Sequence, residues 1–235
     1  MLTGAVLRAR PCHNETMLLD TTLRETIRAR LEAFEVRRAP RGAHRAAAVA
    51  VVIVEEGPGA QLEGIPQPAR WSREAALILT RRAAMLNDHA GQWALPGGRI
   101  DEGEPAHAAA LRELAEEVGL TMDPSALLGT LDDYVTRSGF VITPVVVCAG
   151  AVPMLVPNPA EVASVHRIPI TELMRGDAPL LDPSEDEGRE ILRMPVGDTW
   201  IAAPTAAVLY QFREVCIAGR PTRVAHYDQP LFARR

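Results

Sequence analysis

The stretch "GGRIDEGEPAHAAALRELAEEVGL", Gly97 to Leu120, decides how this sequence reads. Two glycines open it, an acidic turn follows, and it closes on "RELAEEVG". Pro105 suits the first position of a helix, where its missing N–H costs nothing, and Gly119 suits the position just past the end. Between them Leu111, Leu114 and Val118 repeat at helical spacing and form an apolar stripe. At about 100° per residue, Glu113 and Glu117 lie about 40° apart and Glu116 about 60° to the other side of Glu113. Three carboxylates on a side away from the stripe repel one another unless a cation joins them. Oxygen donors of this kind suit a hard divalent ion, Mg2+ or Mn2+. The alternative is a solvated acidic face, common on helices. Arg112 stands beside the carboxylates and can hold one of them in a forked hydrogen bond. Gly97 and Gly98 end the apolar approach "WALP", and their amides and carbonyls are candidates to face a metal or a phosphate.

Outward from this stretch, Leu18 to Phe34 reads as an amphipathic helix through Leu19, Leu23, Ile27 and Leu31, followed by a basic linker, "RRAPRGAHR". "AAAVAVVIVEE" reads as a buried strand, Gly57 to Ser72 as a long loop, and "EAALILTRR" as a second strand. Downstream, "LLGTLDDYVT", "GFVITPVVVCAGA", "EVASVHRIPI" and "EILRMPV" read as strands, "TELMR" as a short helix and "PTAAVLYQFREVCI" as a last helix. Strands and helices do not alternate strictly, so a mixed sheet between helices is expected rather than a doubly wound parallel one. The expected organisation is an N-terminal helical extension and linker, 1–45, and one main domain, 46–235.

The chain of 235 residues is 47% apolar and carries a formal net charge of -5. That charge argues against a general nucleic-acid or membrane-surface binder, but an acidic protein can take an anionic substrate when a cation stands between them. Cys12, Cys148 and Cys216 are odd in number and far apart, which points to a reducing cytoplasm rather than a disulfide framework. The first residues lack the apolar core of a signal peptide, and no apolar run reaches the length of a membrane span.

Gly98, Glu104, Arg112, Glu113, Leu114, Glu116, Glu117, Gly119 and Leu120 fit G-x5-E-x7-R-E-U-x-E-E-x-G-U, with U aliphatic, at every specified position. Here the sequence resembles the Nudix hydrolase family. The resemblance implies an α/β/α sandwich with the signature as loop–helix–loop, and Mg2+-dependent (or Mn2+-dependent) hydrolysis of a nucleoside diphosphate linked to another group. By position it implies Glu113 and Glu117 as principal metal ligands and Glu116 as a further ligand or the base. Glu104 and Arg112 would be supports, and Gly98 would lie at the metal. Upstream, Leu79, Thr80, Arg82, Ala83, Gly91, Pro96, Gly97 and Gly98 resemble the marker of the coenzyme A pyrophosphatase subgroup. Ile78, Asn87 and Leu95 depart from it, where leucine, arginine and phenylalanine are typical. The implied substrate is coenzyme A or an acyl derivative, with Arg82, Arg81 and Gly97 as substrate contacts. Other nucleotides (triphosphates, dinucleotides, nucleotide sugars) and a catalytically silent nucleotide-binding module are the alternatives. The oligomeric state stays open, a homodimer included. Read without the resemblance, His107 packs near the apolar stripe and His89 lies in a surface turn. Glu161 is an ordinary glutamate at a strand start, with a loop base as the minority reading. Asp182 to Glu190 is a solvated acidic loop, and the cysteines are core or bland positions.

Overall fold

The computed structural model describes residues 16–40, 42–83, 91–184 and 188–230. Asn87, His89 and Cys12 lie outside these residues. The longest strand, β1 (Arg45–Gly57), is the axis of the fold. Its alanines and valines are buried almost end to end because both faces are covered. Ala48, Ala50, Val52 and Val54 belong to one apolar cluster, and Val51 and Ile53 to another. Alternation along a strand sends these two sets to opposite faces.

On one edge of β1 lies β7 (Phe140–Gly150), parallel to it, with Arg45 opposite Phe140 and Ala47 opposite Ile142. On the other edge, β4 (Gly97–Arg99) pairs with the first half of β1, and β2 (Ser72–Arg82) with the second half, both antiparallel. β3 (Trp93–Ala94) and β8 (Val162–Pro169) pair with β2; β5 (Leu127–Thr130) and β6 (Tyr134–Val135) pair with β7. The sheet is therefore mixed, as expected. A second antiparallel sheet joins β9 (Leu180–Pro183), β10 (Glu190–Val196) and β11 (Thr199–Ala202). Asp182 and Pro183 thus belong to a strand, where composition suggested loop: pairing of Asp182 with Ile191 outweighs local polarity.

Helices cover both faces. α2 (Ala106–Val118) packs through Ala109, Ala110, Leu114 and Val118 on the face carrying Ala48 and Val52. α1 (Thr21–Ala33) and α4 (Thr205–Phe212), the latter continued by a π-helical turn at Arg213–Ile217, join the cluster on the other face. The short α3 (Ile170–Leu173) follows β8. α1 starts later than its apolar repeat suggested, because Asp20 caps it by accepting from the Leu23 amide. Pro105 is the N-cap of α2 with extended backbone, not its first helical residue. Gly119 ends α2 in the left-handed conformation that favours glycine. His107 is exposed rather than packed, since the buried stripe runs through Ala110 and Leu114. No helix among the described residues is long and apolar enough to cross a membrane.

Candidate active site

The carboxylates of α2 do not share one environment. Glu117 is buried beside Val118, Glu113 is half-buried, and Glu116 is exposed. The expectation of three glutamates on one outward face is corrected accordingly. The helix turns Glu117 over the end of the sheet, where its carboxylate accepts from the Gly97 amide at 3.2 Å. Burial pushes the Glu117 carboxyl up to about 7; the negative charge of Glu113 adds to this, while the Gly97 amide and the charge of Arg82 oppose it. Burial also raises Glu113, against the pull of Arg112.

Glu161, at the mouth of β8, supplies the third neighbour. One oxygen from each of Glu113, Glu117 and Glu161 lies within 4.8 Å of the other two. Glu116 stands outside this cluster, with its nearest hydrogen-bond donor Arg112 Nη1 at 3.4 Å. Sequence reasoning took Glu161 for an ordinary strand-start glutamate, with a loop base as the minority reading, and 44 positions separate it from Glu117. The pairing of β8 with β2 carries it to the site, and the Asn158 amide, donating to the Glu117 carbonyl at 2.9 Å, ties the preceding segment to α2.

Arg112 organises the helix end. Its Nε and Nη2 donate to the two oxygens of Glu104 at 3.1 Å each, Nη1 donates to Glu113 at 2.9 Å, and Nη2 also reaches the Arg99 carbonyl at 3.0 Å. These bonds raise the Arg112 pKa still further, and the guanidinium holds Glu104 below the usual carboxylate range. Glu104 in turn accepts from the Asp101 amide and pins the turn before α2. Arg112 therefore fixes Glu113 to the end of β4.

Gly97 and Gly98 are needed for space rather than for unusual torsion. A Cβ on Gly97 would meet the Ala48 carbonyl oxygen at 2.4 Å, and one on Gly98 would meet Glu113 Oε1 at 2.2 Å. The two glycines let the helix carboxylates lie directly on strand backbone.

A cavity of about 910 Å³ opens beside this cluster, lined by Glu113, Glu117 and Glu161 together with Arg45, Arg81, Arg82 and Arg99. The four arginines have no carboxylate in ion-pair range among the described residues. Arg81 lies 4.0 Å over the ring of Trp93 and donates to the Gly91 carbonyl. Trp93 is held edge-on against buried His166. Arg82 makes no side-chain hydrogen bond among the described residues, and its buried Nε has no partner. Leu95, where the subgroup marker has phenylalanine, is buried in the cavity wall. The sequence thus brought Glu113, Glu117, Gly97, Gly98, Arg81 and Arg82 to one cavity and placed Arg112 and Glu104 behind it; the cavity also contains Glu161, Arg45 and Arg99.

Three carboxylate oxygens this close, one of them on a buried residue, form a donor set of the hard, anionic kind that fits Mg2+ or Mn2+. Without a cation they repel one another at the edge of a low-dielectric wall.

The family model of the NUDIX domain matches residues 68–193. Among curated proteins the chain resembles the uncharacterized Nudix hydrolase NudL of Cronobacter sakazakii, 42% identical over 106 residues, covering 43% of this chain and 54% of that protein. The protein of the same name from Photorhabdus laumondii is 41% identical over 102 residues, 42% of this chain and 53% of that one. The chain spans about half the length of these curated relatives. Among solved structures, the MutT protein of Methanosarcina mazei Go1 is 20% identical, with a TM-score of 0.40 over 60% of this chain and 83% of that one. With the family model covering more than half of its length and the signature helix set against the sheet, the chain belongs to the Nudix family.

Proposed function

We propose that this protein hydrolyses the pyrophosphate bond of a nucleoside diphosphate derivative with the help of Mg2+ or Mn2+, and that coenzyme A or an acyl-coenzyme A is the substrate. The observation that carries this reading is the cavity itself, where three clustered carboxylates face four arginines that lack carboxylate partners. Such a cavity suits a substrate that is anionic at several points and arrives with a cation.

Glu113, Glu117 and Glu161 would hold the cation, with the backbone at Gly98 beside them. When bound, the cation neutralises phosphate oxygens and lowers the pKa of water. Arg112 keeps Glu113 oriented, and Glu104 keeps Arg112 in place. Arg82 and Arg81 would grip phosphate oxygens as forked donors, Arg81 with its plane set by Trp93. The Gly97 amide favours the ionised form of Glu117 against the burial that raises its pKa. The chemistry is then mainly one of position and charge. Water would cut coenzyme A to 3′,5′-ADP and 4′-phosphopantetheine.

Support for coenzyme A comes from the marker around Arg82; Asn87, one of its departures, lies outside the described residues. The test is a substrate panel with Mg2+ scored by product identity: coenzyme A, acetyl-coenzyme A, nucleoside triphosphates, ADP-ribose, NADH and dinucleoside polyphosphates. Coenzyme A or its acyl form should give the highest kcat/KM. A tenfold preference for another compound overturns the substrate, and no cleavage of any of them overturns the reaction.

A further inference from the structure

Arg45 and Arg99 stand apart from the rest of the cavity. Arg45 begins β1, Phe140 begins β7 directly opposite it, and Arg99 ends β4 opposite Ala47. Strand alternation puts all three on one face. The Arg45 guanidinium carbon lies 4.0 Å from the centre of the Phe140 ring, and that of Arg99 lies 5.9 Å from it. Two like charges therefore share one neutral ring. Arg45 donates to the Ser138 carbonyl and Arg99 keeps no side-chain hydrogen bond among the described residues; neither has a carboxylate. Elsewhere in this acidic chain arginines such as Arg38, Arg137, Arg175 and Arg223 do pair with carboxylates. The Phe140 corner is built to stay positive.

Its place relative to the carboxylates is fixed. Gly97, which donates to Glu117, and Arg99, whose carbonyl accepts from Arg112, lie two residues apart on the same strand. That is roughly 7 Å at the usual strand rise. A group bound at Arg99 thus sits about one sugar ring from a pyrophosphate held at the carboxylates. In the proposed function Arg81 and Arg82 would grip the pyrophosphate, which leaves the Phe140 corner for a further anion. A phosphate monoester carries about two negative charges at neutral pH, which two guanidiniums match.

We propose that Arg45 and Arg99, held over Phe140, form a subsite for a phosphomonoester on the ribose of the bound nucleotide. The subsite rests on the pyrophosphatase reading for its orientation, and it would make this chain select nucleotides phosphorylated on the sugar as well as at the 5′ end. The Phe140 ring keeps the Arg45 fork in plane, and the Ser138 carbonyl fixes its far edge.

The experiment is calorimetric titration of the full chain, in Mg2+, with adenosine 3′,5′-bisphosphate, adenosine 2′,5′-bisphosphate and AMP. None of these contains a pyrophosphate, so binding is read without turnover. One bisphosphate should bind at least tenfold more tightly than AMP, and which one it is assigns the 3′ or the 2′ position. In Arg45→Gln and Arg99→Gln that ratio should fall below threefold, and Arg45→Lys should keep part of it. A ratio near one in the unaltered chain, or a ratio that both Gln variants preserve, overturns the subsite. If the ratio behaves as stated but no pyrophosphate is cleaved, the subsite stands and the pyrophosphatase reading falls. Cleavage without any ratio gives the reverse.

Discussion

Gly98 and Glu113 touch so closely that no side chain fits between them: a Cβ on Gly98 would lie 2.2 Å from Glu113 Oε1 and 2.4 Å from its carboxyl carbon. The glycine is there to let a carboxylate rest on strand backbone. Gly98→Ala should therefore swing Glu113 away from Glu117 and Glu161 while leaving the core of β1 and α2 unchanged. We expect kcat to fall by at least tenfold, about 1.4 kcal/mol of barrier, with little change in the thermal midpoint. Steady-state kinetics beside thermal unfolding checks this. An alanine variant with normal turnover would show that Glu113 has no fixed place to keep.

The cluster distinguishes Glu161 from Glu116. Glu113→Gln, Glu117→Gln and Glu161→Gln each remove one charge from the grouped oxygens. Each should lower kcat by roughly a hundredfold, about 3 kcal/mol of barrier. Glu116→Gln, altering an exposed side chain bonded only weakly to Arg112, should cost less than tenfold. The reverse order, with Glu116 essential and Glu161 dispensable, would return the third role to the helix.

Metal binding should be visible in stability as well as in rate. Chelation should abolish hydrolysis, and Mg2+ or Mn2+ should restore it. A cation that binds only the folded chain also raises the thermal midpoint by mass action. In chelator, Glu117→Gln should melt above the unaltered protein, because it removes a buried charge that repels Glu113. Mg2+ should then close that gap. Full activity in excess chelator, or a variant less stable than the unaltered chain without metal, would contradict the cation site.

Much of this site is local and could be read from one stretch. Glu113, Glu117, Arg112 and Glu104 lie within 14 residues; helical geometry brings the three on α2 near one another, and the turn just before it adds Glu104. The same geometry misled on burial, since it says which residues share a side but not how a neighbouring strand end covers one of them. Gly97 and Gly98 were recognisable as special, but their strand pairing with Val49 and Ala48 shows that the reason is space. Arg45 and Phe140 gave no local signal, and Glu161 only enough for a minority reading as a loop base. Arg45 and Phe140 begin β1 and β7 and Glu161 precedes β8, and the register among β1, β2, β7 and β8 places all three at the cavity. The apolar runs made the strands legible, whereas the two- and three-residue strands β3 and β4 are too short to have a period.

The helix assigned by sequence to an extension packs as core. Ile27 is fully buried, and Leu31 covers Gly129, where an added Cβ would meet it at 3.0 Å. Arg30 donates to the carbonyls of Cys216 and Ile217, tying the helix to the π-helical turn Arg213–Ile217. We propose that α1 folds with the catalytic unit. Ile27→Ala should cost about 2–5 kcal/mol, as for other buried aliphatic truncations, and should lower the midpoint of a single unfolding transition. Two separate transitions, with only the smaller one shifted, would instead mark the helix as its own unit.

The last prediction concerns the segment that closes the cavity wall. Asp228 is almost fully buried and accepts from Arg137 Nε at 2.8 Å and Nη2 at 3.0 Å, from Ser184 and from the Gln229 amide at 2.8 Å. Burial alone would raise its pKa, but these donors and the charge of Arg137 outweigh it and hold the group at about 2. A carboxyl depressed in the folded state contributes stability that is present above its ordinary value near 4 and is lost as pH falls towards 2. The shift corresponds to roughly 2 kcal/mol at neutral pH. Asp228→Asn should lose that amount in urea unfolding at pH 7, and the gap to the unaltered chain should shrink steadily between about pH 4 and pH 2. Because Gln229 and the Thr136–Ser138 turn line the cavity, the same variant should raise KM more than it lowers kcat. A stability gap that stays constant with pH would mean that Asp228 acts by shape and not by charge.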